Sequence, residues 1–203
     1  MHKVLLLAPL PPPIGGIASW TKMLLEKFPE PERIVHYNTA LQFRAVTNNR
    51  VHARVLAGIL QLFCNICGVA RCLLRHSDIA VIHLCTSGHM GFCRDCCMML
   101  LGKIFRREVL VHIRFGRIPD LMRRRNWEYW LMRFLFAGCD RIIVLDQQSL
   151  CALETDYKAK AVKIPNFVDL AEVDSVCRAR VEASETPLDI VFAGHVIPAK
   201  GIR

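Results

Sequence analysis

The chain has 203 residues, enough to bury a sizeable core, long for one ordinary domain and short for two. Hydrophobic residues make up 53% and charged residues 22%, which excludes a disordered chain. The 27 Lys and Arg against 18 Asp and Glu leave +9, a charge that favours anionic ligands, acidic lipid headgroups or nucleic acid without choosing among them.

Short apolar runs rich in β-branched residues recur along the chain, at Val4–Leu7, Ile34–Tyr37, Ile79–His83, Val109–Ile113, Arg141–Leu145 and Ala161–Ile164. Most are continuous rather than alternating, as expected of strands covered on both faces. Between them lie segments of helical length: Ile17–Phe28, Arg54–Arg75, Gly88–Ile104, Trp127–Ala137 and Gln147–Asp156. Strand alternating with helix predicts right-handed crossovers and an α/β fold with a doubly wound, Rossmann-like parallel sheet. Residues 1–183 are read as this first domain. Ser184-Glu185-Thr186-Pro187 reads as a linker, and Asp189-Ile190-Val191-Phe192-Ala193-Gly194 as the first strand and glycine turn of a second domain. Residues 184–203 cannot bury a face of their own, so the sequence is expected to be a fragment of a two-domain protein.

Two segments raise the question of a membrane. Met1–Leu10 is too short in its apolar stretch for a signal peptide and runs directly into Pro11-Pro12-Pro13. Val55–Leu74 is long enough to span a bilayer, yet Arg54, Gly58, Gln61, Asn65, Gly68 and Arg75 gather on one helical stripe. That pattern fits a helix packed against a sheet or lying on a membrane surface. The ten cysteines sit mostly in apolar runs such as Cys97-Met98-Met99, which predicts reduced thiols in a cytoplasmic protein. Cys64-x2-Cys67 and Cys93-x2-Cys96 resemble zinc pairs in spacing, but both fall in apolar helical segments rather than turns, so no metal is expected.

In an open parallel sheet, ligands bind beyond the carboxyl ends of the strands. The loops there carry Gly15-Gly16 before a helix, His83 and Ser87, His112 and Arg114, Asp146, and Asn166. Paired glycines before a helix let a phosphate or sugar approach the backbone N–H groups. Neither a G-x-G-x-x-G nor a P-loop is present. His83 and His112 suit hydrogen bonding to a hydroxyl or proton transfer, or a structural contact to a backbone group. Asp146 reads as a helix cap. Arg123-Arg124-Arg125, beside Trp127, Tyr129 and Trp130, reads as a solvated surface or a contact with an anionic membrane, rather than a nucleic-acid patch.

Taken in order, these pieces resemble the N-terminal half of a GT-B glycosyltransferase of the retaining, family-four type. The resemblance rests on the Pro-Pro-Pro-Ile-Gly-Gly-Ile loop, Val81-Ile82-His83-Leu84, Val111-His112-Ile113-Arg114, the strand Asp140–Leu145, Ile164–Asp169, and Val191–His195 through Lys200-Gly201-Ile202. It implies sugar transfer from a nucleoside diphosphate sugar to a saccharide or lipid-linked acceptor in surface polysaccharide synthesis, without a metal or other cofactor. Beside the resemblance, the cysteines predict a cytoplasmic location, and the Arg123–Arg125 cluster with the apolar helical segments predicts peripheral attachment to the anionic inner face of the membrane. Gly15 and Gly16 would line the donor's diphosphate and sugar, His112 the transferred sugar, and His195 and Lys200 the diphosphate. His83, Ser87, Arg114 and Asn166 would be further contacts to donor or acceptor. His195 stands where the family often has arginine, and the family's spaced pair of glutamates is expected beyond residue 203. The competing readings are a nucleotide-sugar epimerase of similar build and a non-enzymatic module that binds membrane or nucleic acid.

Overall fold

The computed structural model describes residues 2–12, 15–40 and 51–167. The chain divides into two units, Met1–Asn166 and Phe167–Arg203. The linker at 184–187, the strand from Asp189, and His195 and Lys200 lie outside the described residues.

The first unit is an α/β structure built on six parallel strands: β1 (Lys3–Ala8), β2 (Ile34–Asn38), β3 (Ile79–Thr86), β4 (Glu108–Ile113), β5 (Arg141–Val144) and β6 (Ala161–Lys163). Their order across the sheet is β2-β1-β3-β4-β5-β6, and every neighbouring pair is parallel. This is the Rossmann-like arrangement expected from the alternating pattern. The central strands are apolar on both faces because both are covered: Leu5, Leu6, Leu7 and Ala8 of β1 are all buried. Helix α1 (Gly16–Lys27) covers one face, packing Trp20 near Leu6, Ala8 and Cys85. Helices α2 (Val51–Arg75), α3 (Gly91–Ile104) and α5 (Trp127–Gly138) cover the other, over Leu5, Leu7, Ile82, Leu84, Val109 and Val111.

Several boundaries differ from the expected ones for local reasons. Strand β3 continues past His83, because Leu84, Cys85 and Thr86 pair with Val111, His112 and Ile113. Helix α3 begins at Gly91 rather than Gly88, since Gly88 (φ 79°) and His89 (φ 53°) take left-handed backbone that a right-handed helix cannot include. The expected helix Gln147–Asp156 is two: α6 (Gln147–Ala152) and α7 (Thr155–Lys158), separated by the extended Leu153-Glu154. Asp146 caps α6 as expected, accepting from the Ser149 N–H at 2.7 Å. A further helix, α4 (Ile118–Arg124), starts with proline in its first turn and ends at Arg125 in the left-handed region.

Helix α2 carries its polarity the unusual way round. Gln61 and Asn65 are buried, with the Gln61 amide donating to Asn65 at 3.1 Å, while much of its apolar surface is exposed. Nine of the cysteines are described and all are free; Cys85, Cys96 and Cys139 are buried, whereas Cys64, Cys67 and Cys151 are exposed.

Helix α3 lies close enough to the sheet that a Cβ on Gly102 would stand 2.8 Å from Val109 Cγ2 and 3.0 Å from Ile82 Cδ1. Both neighbours are β-branched side chains with little room to turn away. Gly102→Val should therefore lower stability by about 1–3 kcal/mol in denaturant unfolding. An unchanged midpoint would show that α3 does not approach β3 and β4 this closely.

Candidate functional site

The chain enters the sheet at β1, steps outward to β2, then returns past β1 to β3 and continues in that direction. The direction of winding therefore reverses between β1 and β3, and the helices that follow these two strands leave on opposite faces. Such a switch point opens a crevice at the carboxyl ends of the strands. The loop into α1 flanks it on one side and the loop from β3 to α3 on the other.

Among the described residues, the α1 entry is bare. Gly15 stands at the N-cap without a side-chain cap, no acidic residue occupies the first turn, and Gly15 and Gly16 are both exposed. A Cβ built on either glycine meets nothing within 4 Å. The first amide N–H groups of a helix have no intrahelical acceptor, so this end presents donors and positive dipole to the crevice. The end of β1 and the residue Leu10 beyond it are tied to β2. A His36 ring nitrogen lies 2.9 Å from the Ala8 carbonyl and must donate to it, and Asn38 accepts from the Leu10 and Ala40 N–H groups. Ser87, exposed just after β3, lies on the opposite side of the crevice.

His83 and His112 are brought together, though inside the strands rather than in the loops. Both project onto the α1 face and lie under Trp20, at ring-centroid distances of 6.3 and 5.3 Å. His112 is 3% exposed. Its Nδ1 is 3.2 Å from Nε2 of His83, and its Nε2 is 3.2 Å from Nη1 of Arg114. A guanidinium only donates, so His112 Nε2 accepts, its proton sits on Nδ1, and that proton goes to His83 Nε2. The result is a directed chain from Arg114 through His112 to His83, with both imidazoles neutral. Burial, reinforced by the Arg114 charge, pushes His83 down to about 4. Burial, then His83 and Arg114, push His112 down to about 3. Arg114 itself lies over the Trp20 ring, 4.1 Å from its centroid. Burial lowers its affinity for its proton, but a guanidinium remains a cation.

A second set of contacts fixes the loops around the crevice. The buried Glu128 of α5 accepts from the His89 N–H at 2.6 Å and from Arg117 at 3.0 Å, holding the β3–α3 loop to the segment after β4. Burial alone would raise this carboxyl, but Arg117 and the His89 N–H outweigh it and hold it below the ordinary range. Asn166 is exposed at the end of the first unit. The exposed run Arg123-Arg124-Arg125 takes no part in the crevice contacts: Arg123 pairs with Asp120 at 2.8 Å, and Arg125 lies 5.9 Å from the Tyr129 ring centroid. Sequence reasoning missed Trp20 and Cys85. The first looks like an ordinary core residue of α1, and the second joins the group only through its pairing with His112.

His83, Cys85 and His112 hold possible metal-ligating atoms within 4.8 Å of one another. The set suits a soft cation by donor type. Its present arrangement opposes one: His112 Nε2 is already taken by a guanidinium, and burial pushes the Cys85 thiol up to about 12. The C-x-x-C pairs do not contribute to this group. No family model matches the chain, and no curated protein matches it either.

The neutral pair has a consequence for stability. Unfolding returns both imidazoles to ordinary proton affinity near pH 6.5, so below that pH the unfolded chain binds more protons than the folded one. The contribution of the pair is complete above about pH 6.5 and is lost as pH falls toward the folded values. Urea unfolding between pH 7 and 4.5 should show a decline of up to about 1.4 kcal/mol per pH unit for each proton taken up. The double variant His83→Gln/His112→Gln should flatten that decline. An equal slope in wild type and variant would mean that the imidazoles are not held neutral.

Proposed function

We propose that the chain is the acceptor-side part of a retaining glycosyltransferase of the GT-B type. It would act on a nucleoside diphosphate sugar and a saccharide or lipid-linked acceptor. The observation that carries this reading is the bare, exposed glycine entry of α1 at the switch point between β1 and β3, one helical turn from the Trp20–Arg114 stack. A diphosphate leaving group gains negative charge as the glycosidic bond breaks, and fixed N–H donors aimed at it lower the barrier. In this reading Gly15 and Gly16 lie against the diphosphate and sugar, with Ser87 and Asn166 as further polar contacts at the same sheet edge. His195 and Lys200 lie outside the described residues and enter this reading as diphosphate contacts through the resemblance alone.

His112 needs a more specific account. Its ring is covered by Trp20 and held by His83 and Arg114, so contact with a transferred sugar requires Trp20 and Arg114 to shift. Until they do, His112 acts as a positioning residue that fixes the Arg114 guanidinium at the carboxyl end of β4. Departure of the donor phosphate would leave the acceptor hydroxyl to be deprotonated by that same phosphate, so no protein base is assigned.

The glycines give the test. Because added side chains at Gly15 and Gly16 meet nothing within 4 Å, Gly15→Val/Gly16→Val should leave thermal stability close to wild type. The same side chains would occupy the space of a bound diphosphate. Titration with UDP- and GDP-sugars, followed by NMR, should show saturable binding that the double variant weakens by roughly tenfold or more. Absence of binding to every nucleoside diphosphate sugar, or equal binding by the folded variant, would remove this reading.

A further inference from the structure

We propose that the outer face of α2, α3 and α5 docks flat onto a membrane surface that carries anionic lipid. These three helices lie on the same side of the sheet, and each turns part of an apolar face outward. On α2, Leu56, Ile59 and Phe63 are 59%, 59% and 65% exposed, while the polar Gln61 and Asn65 point inward. A helix serving only to cover a sheet has the reverse polarity. Ile104 at the end of α3 is 75% exposed, and α5 adds the half-exposed Trp127 and Trp130, a residue type that favours the headgroup level of a bilayer.

Charge selects the occupant. The three helices contain only two carboxylates, Asp95 and Glu128, and both are buried. Lys103 of α3 and Arg133 of α5 pair with Asp140 and Glu154 of neighbouring segments, and the outward face adds apolar side chains and the exposed Arg71 and Arg75, with no exposed carboxylate on the three helices themselves. A second copy docked on this face would set like cations near one another without a helix carboxylate to pair them. Anionic headgroups above an acyl layer match both properties at once.

The same contacts decide between lying on the membrane and crossing it. Val55–Arg75 is long and apolar enough to span, yet Val69 and Leu73 belong to the main core. The Tyr37 hydroxyl also donates to the Cys64 carbonyl, and the Tyr37 ring fills the space beside Gly68. Leaving the sheet would uncover these groups, so α2 stays parallel to the surface.

The experiment uses the 203-residue chain with vesicles of phosphatidylcholine alone or mixed with phosphatidylglycerol, and no nucleotide sugar, so its outcome is independent of the proposed enzymatic role. Sedimentation with the anionic vesicles should exceed that with neutral ones and fall as salt rises. Brominated acyl chains should quench emission from Trp127 and Trp130, and Trp127→Phe/Trp130→Phe should remove that quenching. Ile59→Glu/Phe63→Glu should cut binding by roughly tenfold or more, and Arg71→Gln/Arg75→Gln by about fivefold per cation. Equal binding to both vesicle types, or binding unaffected by Ile59→Glu/Phe63→Glu, would overturn the proposal. So would a dimer, lost in that variant, without vesicle binding, or a wild-type chain released only by detergent. If Ile59→Glu/Phe63→Glu does not fold, wild-type fluorescence decides, and absence of quenching by brominated lipid overturns the proposal.

Discussion

The α1 side of the sheet depends on one arrangement: two neutral imidazoles held in line by a guanidinium and covered by an indole. Arg114 donates to His112, His112 donates to His83, and Trp20 lies across all three. Trp20 comes from α1, His83 from β3, and His112 and Arg114 from β4 and its end, so the chain of contacts locks the helix to the two central strands. A buried polar group without a partner costs far more than a satisfied one contributes. Loss of any member therefore leaves the others exposed to that cost. The arrangement also fixes where α1 begins, because Trp20 lies just over one turn beyond Gly16.

That constraint sets what the crevice offers. With α1 anchored, its first-turn N–H groups, which have no side-chain cap, stand at the switch point, and Arg114 adds a cation at the neighbouring strand end. Charge is thus supplied from backbone dipole and from a guanidinium whose position is determined by a neutral histidine. Glu128 does comparable structural work on the other face, tying two crevice loops to α5. The two faces of the sheet divide their tasks. The α1 side shapes the crevice, and the α2–α3–α5 side combines the main core with an outward surface that is apolar and cationic.

Much of this was legible in the sequence, and the exceptions have physical causes. Strand identity was clear because runs such as Val4–Leu7 and Val109–Ile113 are apolar at consecutive rather than alternating positions, as expected of strands covered on both faces. The end of β3 was obscured by Cys85 and Thr86, which look like loop residues until their pairing with β4 is known. The start of α3 was hidden because His89 takes a left-handed conformation that no residue type announces. Helix α4 is seven residues long and charged, too short for its apolar positions to show a period. Gly15, Gly16, His83, His112 and Arg114 could all be named in advance, since they fall at or near strand ends. Their joint geometry could not, because parallel register brings His112 opposite Cys85 and diagonal to His83, and no local pattern fixes that register. The stripe on α2 was visible, but composition alone does not say which face of a helix is turned inward.

The most direct measurement of the central arrangement is the protonation of the two imidazoles, read from their side-chain 15N resonances in the folded protein at about pH 5.5, below the ordinary histidine value. The account predicts that both rings are neutral there, each carrying its proton on Nδ1, with the His112 Nε2 resonance showing an accepted hydrogen bond. A ring found protonated on both nitrogens at that pH, or a His112 proton on Nε2, would contradict it.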